Sequence, residues 1–111
     1  MPERRTTLRR RRAIFREATA IIEAEYAQQL DVDLVARRVF ASRRQLQRAF
    51  AEIGQTTFRS YLAEVRMRHA VELLRRGRAP VSEVATRVGY REPADLRRPS
   101  GAIKVGRLLA C

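Results

Sequence analysis

Apolar and polar positions alternate along this chain with a helical period almost throughout. Ile14, Ala18, Ile21, Ile22 and Tyr26 recur at three- and four-residue steps, so residues 8–28 are predicted to form a one-sided packing helix. A short helix follows with Leu34, Val35, Ala36 and Val39 as its apolar set, and Asp31 or Asp33 is placed to cap it. After a break at Phe40-Ala41, Ser42 opens another helix. Ser42-x-x-Gln45 has the form of a capping box, and Leu46, Ala49, Phe50 and Ile53 make one buried stripe. Gly54 suits a left-handed helix stop.

The next helix is expected from Thr56, as its cap, to Gly77, as its stop. It carries two apolar stripes: Phe58, Tyr61, Leu62, Val65, His69 and Leu73 on one face, and Ala63, Met67, Ala70 and Leu74 nearly opposite. A helix apolar on two sides has partners on both, which predicts a connector between two small bodies. Beyond it, Pro80 suits the first turn of a short helix with Val81, Val84, Ala85 and Val88 buried. Gly89-Tyr90 marks a turn, and a last helix is expected near Glu92-Pro93.

The short helices repeat. Val35-Ala36-Arg37-Arg38-Val39 aligns with Val84-Ala85-Thr86-Arg87-Val88 at a spacing of 49, and Leu46-Gln47-Arg48 with Leu96-Arg97-Arg98 at a spacing of 50. Each unit reads as helix, tight turn, helix, the arrangement in which a second helix enters the DNA major groove. In the first unit Arg44, Gln47 and Arg48 lie away from the apolar stripe. Arg can pair bidentately with guanine O6 and N7, and Gln with adenine N6 and N7. Arg43 is better placed for a phosphate, which positions the protein without specifying sequence.

Charge strengthens this picture. Lys and Arg number 24 against 12 acidic residues, a formal net charge of +12, and Lys104 is the only lysine. Such a chain attracts polyanions, with double-stranded DNA the leading partner and an anionic membrane surface the rival. No apolar run is long enough for a membrane span. With one histidine, His69, and one cysteine, Cys111, a zinc site is not expected, nor a disulfide within the chain. His69 lies on an apolar helical face and reads as a core-edge residue. No enzyme activity or cofactor is expected, and the compartment is expected to be the cytoplasm, at the nucleoid.

These residues, in this order, resemble the DNA-binding domain of the arabinose-operon regulator (AraC/XylS) family. The resemblance runs from about Leu30 to Arg98. It rests on Ala36, the run Ser42-Arg43-Arg44-Gln45-Leu46-Gln47-Arg48-Ala49-Phe50, Gly54-x-Thr56, Tyr61-Leu62, Arg66, Ala70, Leu73-Leu74, and Val84-Ala85-x-x-Val88-Gly89-Tyr90. It implies an all-α fold, with two helix-turn-helix subdomains joined by a long linker helix in a homeodomain-like pair. It further implies that Arg44, Gln47 and Arg48 face bases, and that Ala94, Arg97 and Arg98 hold the matching face of the second recognition helix. The chain departs from the family pattern at Phe40, where a small or polar turn residue is usual, and at Thr57, where proline is common. It departs most at Arg98-Pro99-Ser100, where the family pattern continues as a helix into an aromatic residue.

The expected organisation is a basic tail over residues 1–7, a first helix-turn-helix subdomain over 8–55, a linker helix over 56–77, an incomplete second subdomain over 78–98 and a divergent tail over 99–111. The expected function is sequence-specific transcription regulation through major-groove readout by a monomer, with RNA polymerase as a second candidate partner. The alternative is a non-specific basic DNA-binding protein or a non-functional remnant of a larger regulator.

Overall fold

The structure is a computed structural model that describes residues 2–77 and 79–91, with side chains from residue 6 onward. The predicted sites Ala94, Arg97 and Arg98, and the expected helix near Glu92-Pro93, lie outside the described residues. Those described form helices α1 (Pro2–Glu25), α2 (Val32–Arg38), α3 (Arg43–Glu52), α4 (Phe58–Arg75) and α5 (Val81–Arg87). The chain divides into two compact units. Unit 1 holds Met1–Glu25 with Leu30–Tyr61; unit 2 holds Tyr26–Gln29 with the chain from Leu62 onward. Tyr26–Gln29 therefore groups with unit 2, and the boundary falls inside α4.

Unit 1 is built on the predicted stripes. Ile14, Ala18 and Ile22 of α1 are buried, as are Val35 and Ala36 of α2 and Leu46, Ala49 and Phe50 of α3. Phe50 is fully enclosed and gathers three aromatic rings edge-on: Phe15 at 5.0 Å, Tyr61 at 5.8 Å and Phe58 at 5.9 Å between centroids. Edge-to-face pairs at such distances add to the burial of the rings themselves.

Local chemistry sets the helix ends. Asp31 caps α2, its carboxylate accepting from Leu34 N at 2.8 Å. The capping box of α3 is complete: Gln45 N donates to Ser42 Oγ at 3.0 Å, and Ser42 N to Gln45 Oε1 at 2.8 Å. Other ends differ from expectation. Thr57, not Thr56, caps α4, accepting from Ser60 N at 3.0 Å. Gln55, not Gly54, takes the left-handed conformation, with φ 51. Gly54 is small for another reason. A Cβ there would lie 2.4 Å from Phe15 Cε1, so the ring packs directly on its backbone. Pro80 stands just ahead of α5 in extended conformation rather than inside its first turn.

The expected basic tail is also different. α1 begins at Pro2, not Leu8. Pro is well suited to the first helical position, and Arg propagates a helix readily.

Unit 2 buries Met67, Ala70 and Val71 of α4 against Val84 and Ala85 of α5 and the following Val88, with Leu73 and Leu74 partly buried around them. On the opposite face of α4, Phe58, Leu62 and Val65 are buried, so two apolar stripes exist, but Leu73, expected on this one, packs with the other. Val71 joins the Met67 and Ala70 stripe, four residues after Met67 and three before Leu74, a helical step that the expected set leaves out.

Candidate nucleic-acid interface

The repeat in sequence is a repeat in hydrogen bonding. After α2, Phe40 N donates to Arg37 O at 3.1 Å and Ala41 N to Ala36 O at 2.9 Å. After α5, Gly89 N donates to Thr86 O at 3.1 Å and Tyr90 N to Ala85 O at 2.9 Å. Both turns pass through positive φ, 57 at Phe40 and 108 at Gly89. In unit 1 this turn delivers the chain to Ser42, whose capping box starts α3.

α3 is buried on one side and open on the other. At about 100° per residue, burying Leu46, Ala49 and Phe50 leaves Arg44, Gln47 and Arg48 pointing outward, and all three are exposed. Arg44 and Gln47 hold no ion pair or side-chain hydrogen bond among the described residues. Arg43 lies toward α2, with Nε 3.6 Å from Asp33 Oδ1 and its side chain 60% exposed. Arg48 Nε is 3.9 Å from Glu52 Oε1. Ion pairs this long and this exposed contribute little, so both guanidiniums can turn to an incoming anion.

Four further polar residues border the same face from α1. Thr6, Thr7, Arg10 and Arg11 join Arg44 and Arg48 around a cleft of ≈ 380 Å³, with Ile14 at its apolar floor. Arg10 Nη2 donates to Phe40 O at 2.7 Å and to Val39 O at 3.3 Å, which ties α1 to the turn. Arg11 pairs with Glu52. In sequence, Thr6 and Thr7 fall in the expected tail and Arg10 and Arg11 in the expected helix, with none of the four singled out as a site residue. Their signal in the sequence is position: 7, 10 and 11 continue the inward stripe of Ile14 by helical steps.

In unit 2 the scaffold around the turn is polar and specific. Arg66 donates from Nε to Tyr26 O and from Nη2 to Gln28 O, both at 2.8 Å, and lies 5.1 Å over the Tyr90 ring. Burial pulls its guanidinium below the usual arginine value, and Tyr90 acts in the opposite sense. Gln29 Nε2 donates to Gly89 O at 3.3 Å. His69 stacks on Tyr26, with centroids 4.0 Å apart and planes at 9°. These contacts hold Tyr26–Gln29 within unit 2. None of the described helices is long and apolar enough to cross a membrane.

Comparison with known proteins agrees with this geometry. The helix-turn-helix domain family matches residues 35–100, more than half the chain. No curated protein matches. Among solved structures, the C-terminal domain of AraT, a response regulator from Geobacillus stearothermophilus, is similar at 29% identity and TM-score 0.77, covering 84% of this chain and 77% of that one. An AraC-type DNA-binding transcriptional regulator from Chromobacterium violaceum is similar at 25% identity and TM-score 0.75, covering 84% and 82%. The fold is also that of a probable AraC family regulator from Rhodopseudomonas palustris CGA009, at 20% identity and TM-score 0.71, covering 85% and 95%. The chain therefore belongs to the AraC-type helix-turn-helix family of DNA-binding transcription regulators.

Proposed function

We propose that the protein reads specific DNA sequence by placing α3 in the major groove. The observation that carries this reading is the outward face of α3, where Arg44, Gln47 and Arg48 stand exposed beside a capped, firmly packed helix start. Arg44 and Arg48 have the donors for guanine, and Gln47 has the donor and acceptor for adenine. Arg43 supplies a phosphate contact on the α2 side. In unit 2, α5 and its turn repeat the scaffold of unit 1, and Ala94, Arg97 and Arg98 are proposed to form the corresponding reading face.

The test is selection from random oligonucleotides, followed by competition between the selected duplex and random DNA. Gln47 is the informative position because it does not border the α1 cleft. Gln47→Ala should weaken the selected duplex by about 1–3 kcal/mol and leave random DNA unchanged. If the native protein shows no preference for any duplex, binding is non-specific, driven by the +12 charge, and the proposal falls.

A further inference from the structure

We infer that the cleft between the N-terminal part of α1 and the start of α3 is a clamp for a DNA backbone phosphate. The inference rests on the proposed docking of α3, and three observations lead to it.

The first is where the α1 stripe changes character. Ile14, Ala18 and Ile22 face inward and are buried. Continuing the same stripe toward the N-terminus reaches Arg11, Arg10 and Thr7, and these line the cleft instead of a core. Inward positions that hold guanidiniums are suited to an anion, not to apolar packing.

The second is charge. Arg10, Arg11, Arg44 and Arg48 surround the cleft. One carboxylate, Glu52, faces both Arg11 and Arg48. Arg10 is held in place by the carbonyl oxygens of Val39 and Phe40, which orient it without cancelling its charge. The cleft thus keeps a surplus of positive charge, with hydroxyl groups from Thr6 and Thr7 at its rim.

The third is geometry. A helix about 10–12 Å across fills a major groove about 12 Å wide, so both phosphate walls meet its flanks. One flank of α3 carries Arg43, toward α2. The other carries Gln45, Arg48 and Glu52, toward α1, and there the cleft opens. Its occupant is therefore the backbone of the strand on that side.

The experiment measures affinity against salt for a selected and a random duplex, with native protein, Thr7→Glu and Glu52→Gln. Thr7→Glu adds a carboxylate at the cleft. Expelling one phosphate from the protein surface lowers the slope of log K against log salt by about 0.9, so the native advantage over T7E should shrink about three- to fourfold between 50 and 200 mM salt. The loss should be equal on both duplexes, because a phosphate carries no sequence information. E52Q should act oppositely, binding both duplexes more tightly with a steeper slope, and it decides the matter should T7E fail to fold. Unchanged slopes in both variants overturn the clamp. So does a loss confined to the selected duplex, which would mean that α3 readout was disturbed. A native protein without sequence preference, but with both slopes shifted as expected, would sink base readout and leave the clamp standing. A native protein that binds no duplex would sink both.

Discussion

Gly89→Ala should be the most damaging single-methyl change in the turn of unit 2. Gly89 is buried and has φ +108, which L side chains rarely adopt. A Cβ there would meet Tyr26 O at 2.8 Å, Arg66 Nε at 2.9 Å and Arg66 Nη2 at 3.0 Å. The methyl group therefore intrudes on the hydrogen bond from Arg66 Nε to Tyr26 O. Backbone strain of this kind costs about 1–3 kcal/mol. A hydrogen bond to a charged group contributes about 1.5–3 kcal/mol. The joint loss is about 2.5–6 kcal/mol, a large part of the stability of a small domain. Gly77→Ala is the control. It has φ +66 but nothing within 4 Å of the added methyl, so only the left-handed conformation counts against it, at about 1–2 kcal/mol.

Amide hydrogen exchange resolves the effect where it occurs. In Gly89→Ala the amides of Val84 and Val88, bonded to Pro80 O and Val84 O, should lose about two to four orders of magnitude of protection. In Gly77→Ala the same amides should lose about one. Equal losses in the two variants would refute this reasoning, because they would show that the wall of Tyr26 and Arg66 adds nothing to the cost of positive φ.

Two other changes test the unit 1 scaffold. Phe40 is 88% exposed and sits at φ 57; Phe40→Gly removes left-handed strain of about 1–2 kcal/mol against a smaller entropic cost, so Tm should rise by roughly 2–6 °C in thermal melts. A lower Tm would mean that the exposed ring stabilises the turn after all. Glu25 makes a two-point contact with Arg38, 2.7 Å on each arm, and this holds its carboxyl below the usual value of 4.5. Its contribution is therefore present above the unfolded-state pKa and is lost as pH falls through the folded one. Melts from about pH 5 to 3 should show a shallower acid decline for Glu25→Gln than for the native chain; parallel curves would count against the pair.

The five described helices, the capping box of α3, the two apolar sides of α4 and the turn repeat were all legible in sequence, because each rests on neighbours within a few positions. What was not legible rests on distant partners. An isolated basic segment gives no reason to extend α1 back to Pro2, since a helix needs a face to pack. That face is held by Arg10 on the carbonyls of Val39 and Phe40 and by Arg11 on Glu52, groups about 30 to 40 residues away in the chain. The same holds for Gly54, whose reason is the Phe15 ring and not its own φ. The outward residues of α3 could be named from their spacing; the cleft beside them could not, because it needs α1 extended past Leu8 and packed beside the start of α3.

The two turns show why a glycine is a poor guide to backbone conformation by itself. Phe40 and Gly89 occupy equivalent positions, donate equivalent hydrogen bonds and share positive φ. At position 40 the side chain projects into solvent, so the turn tolerates an aromatic residue at the expense of some strain. At position 89 the backbone is walled in by Tyr26 and Arg66, and φ lies farther from the left-handed basin that other residues can reach. Glycine at 89 is thus required by its surroundings more than by the turn. Glycine as the mark of the turn points to the second unit and is silent at the first. The shared frame is instead in the buried pair before each turn, Val35-Ala36 and Val84-Ala85. The small Ala side chain lies next to the carbonyl that receives the closing hydrogen bond, and the preceding Val anchors the helix in its core.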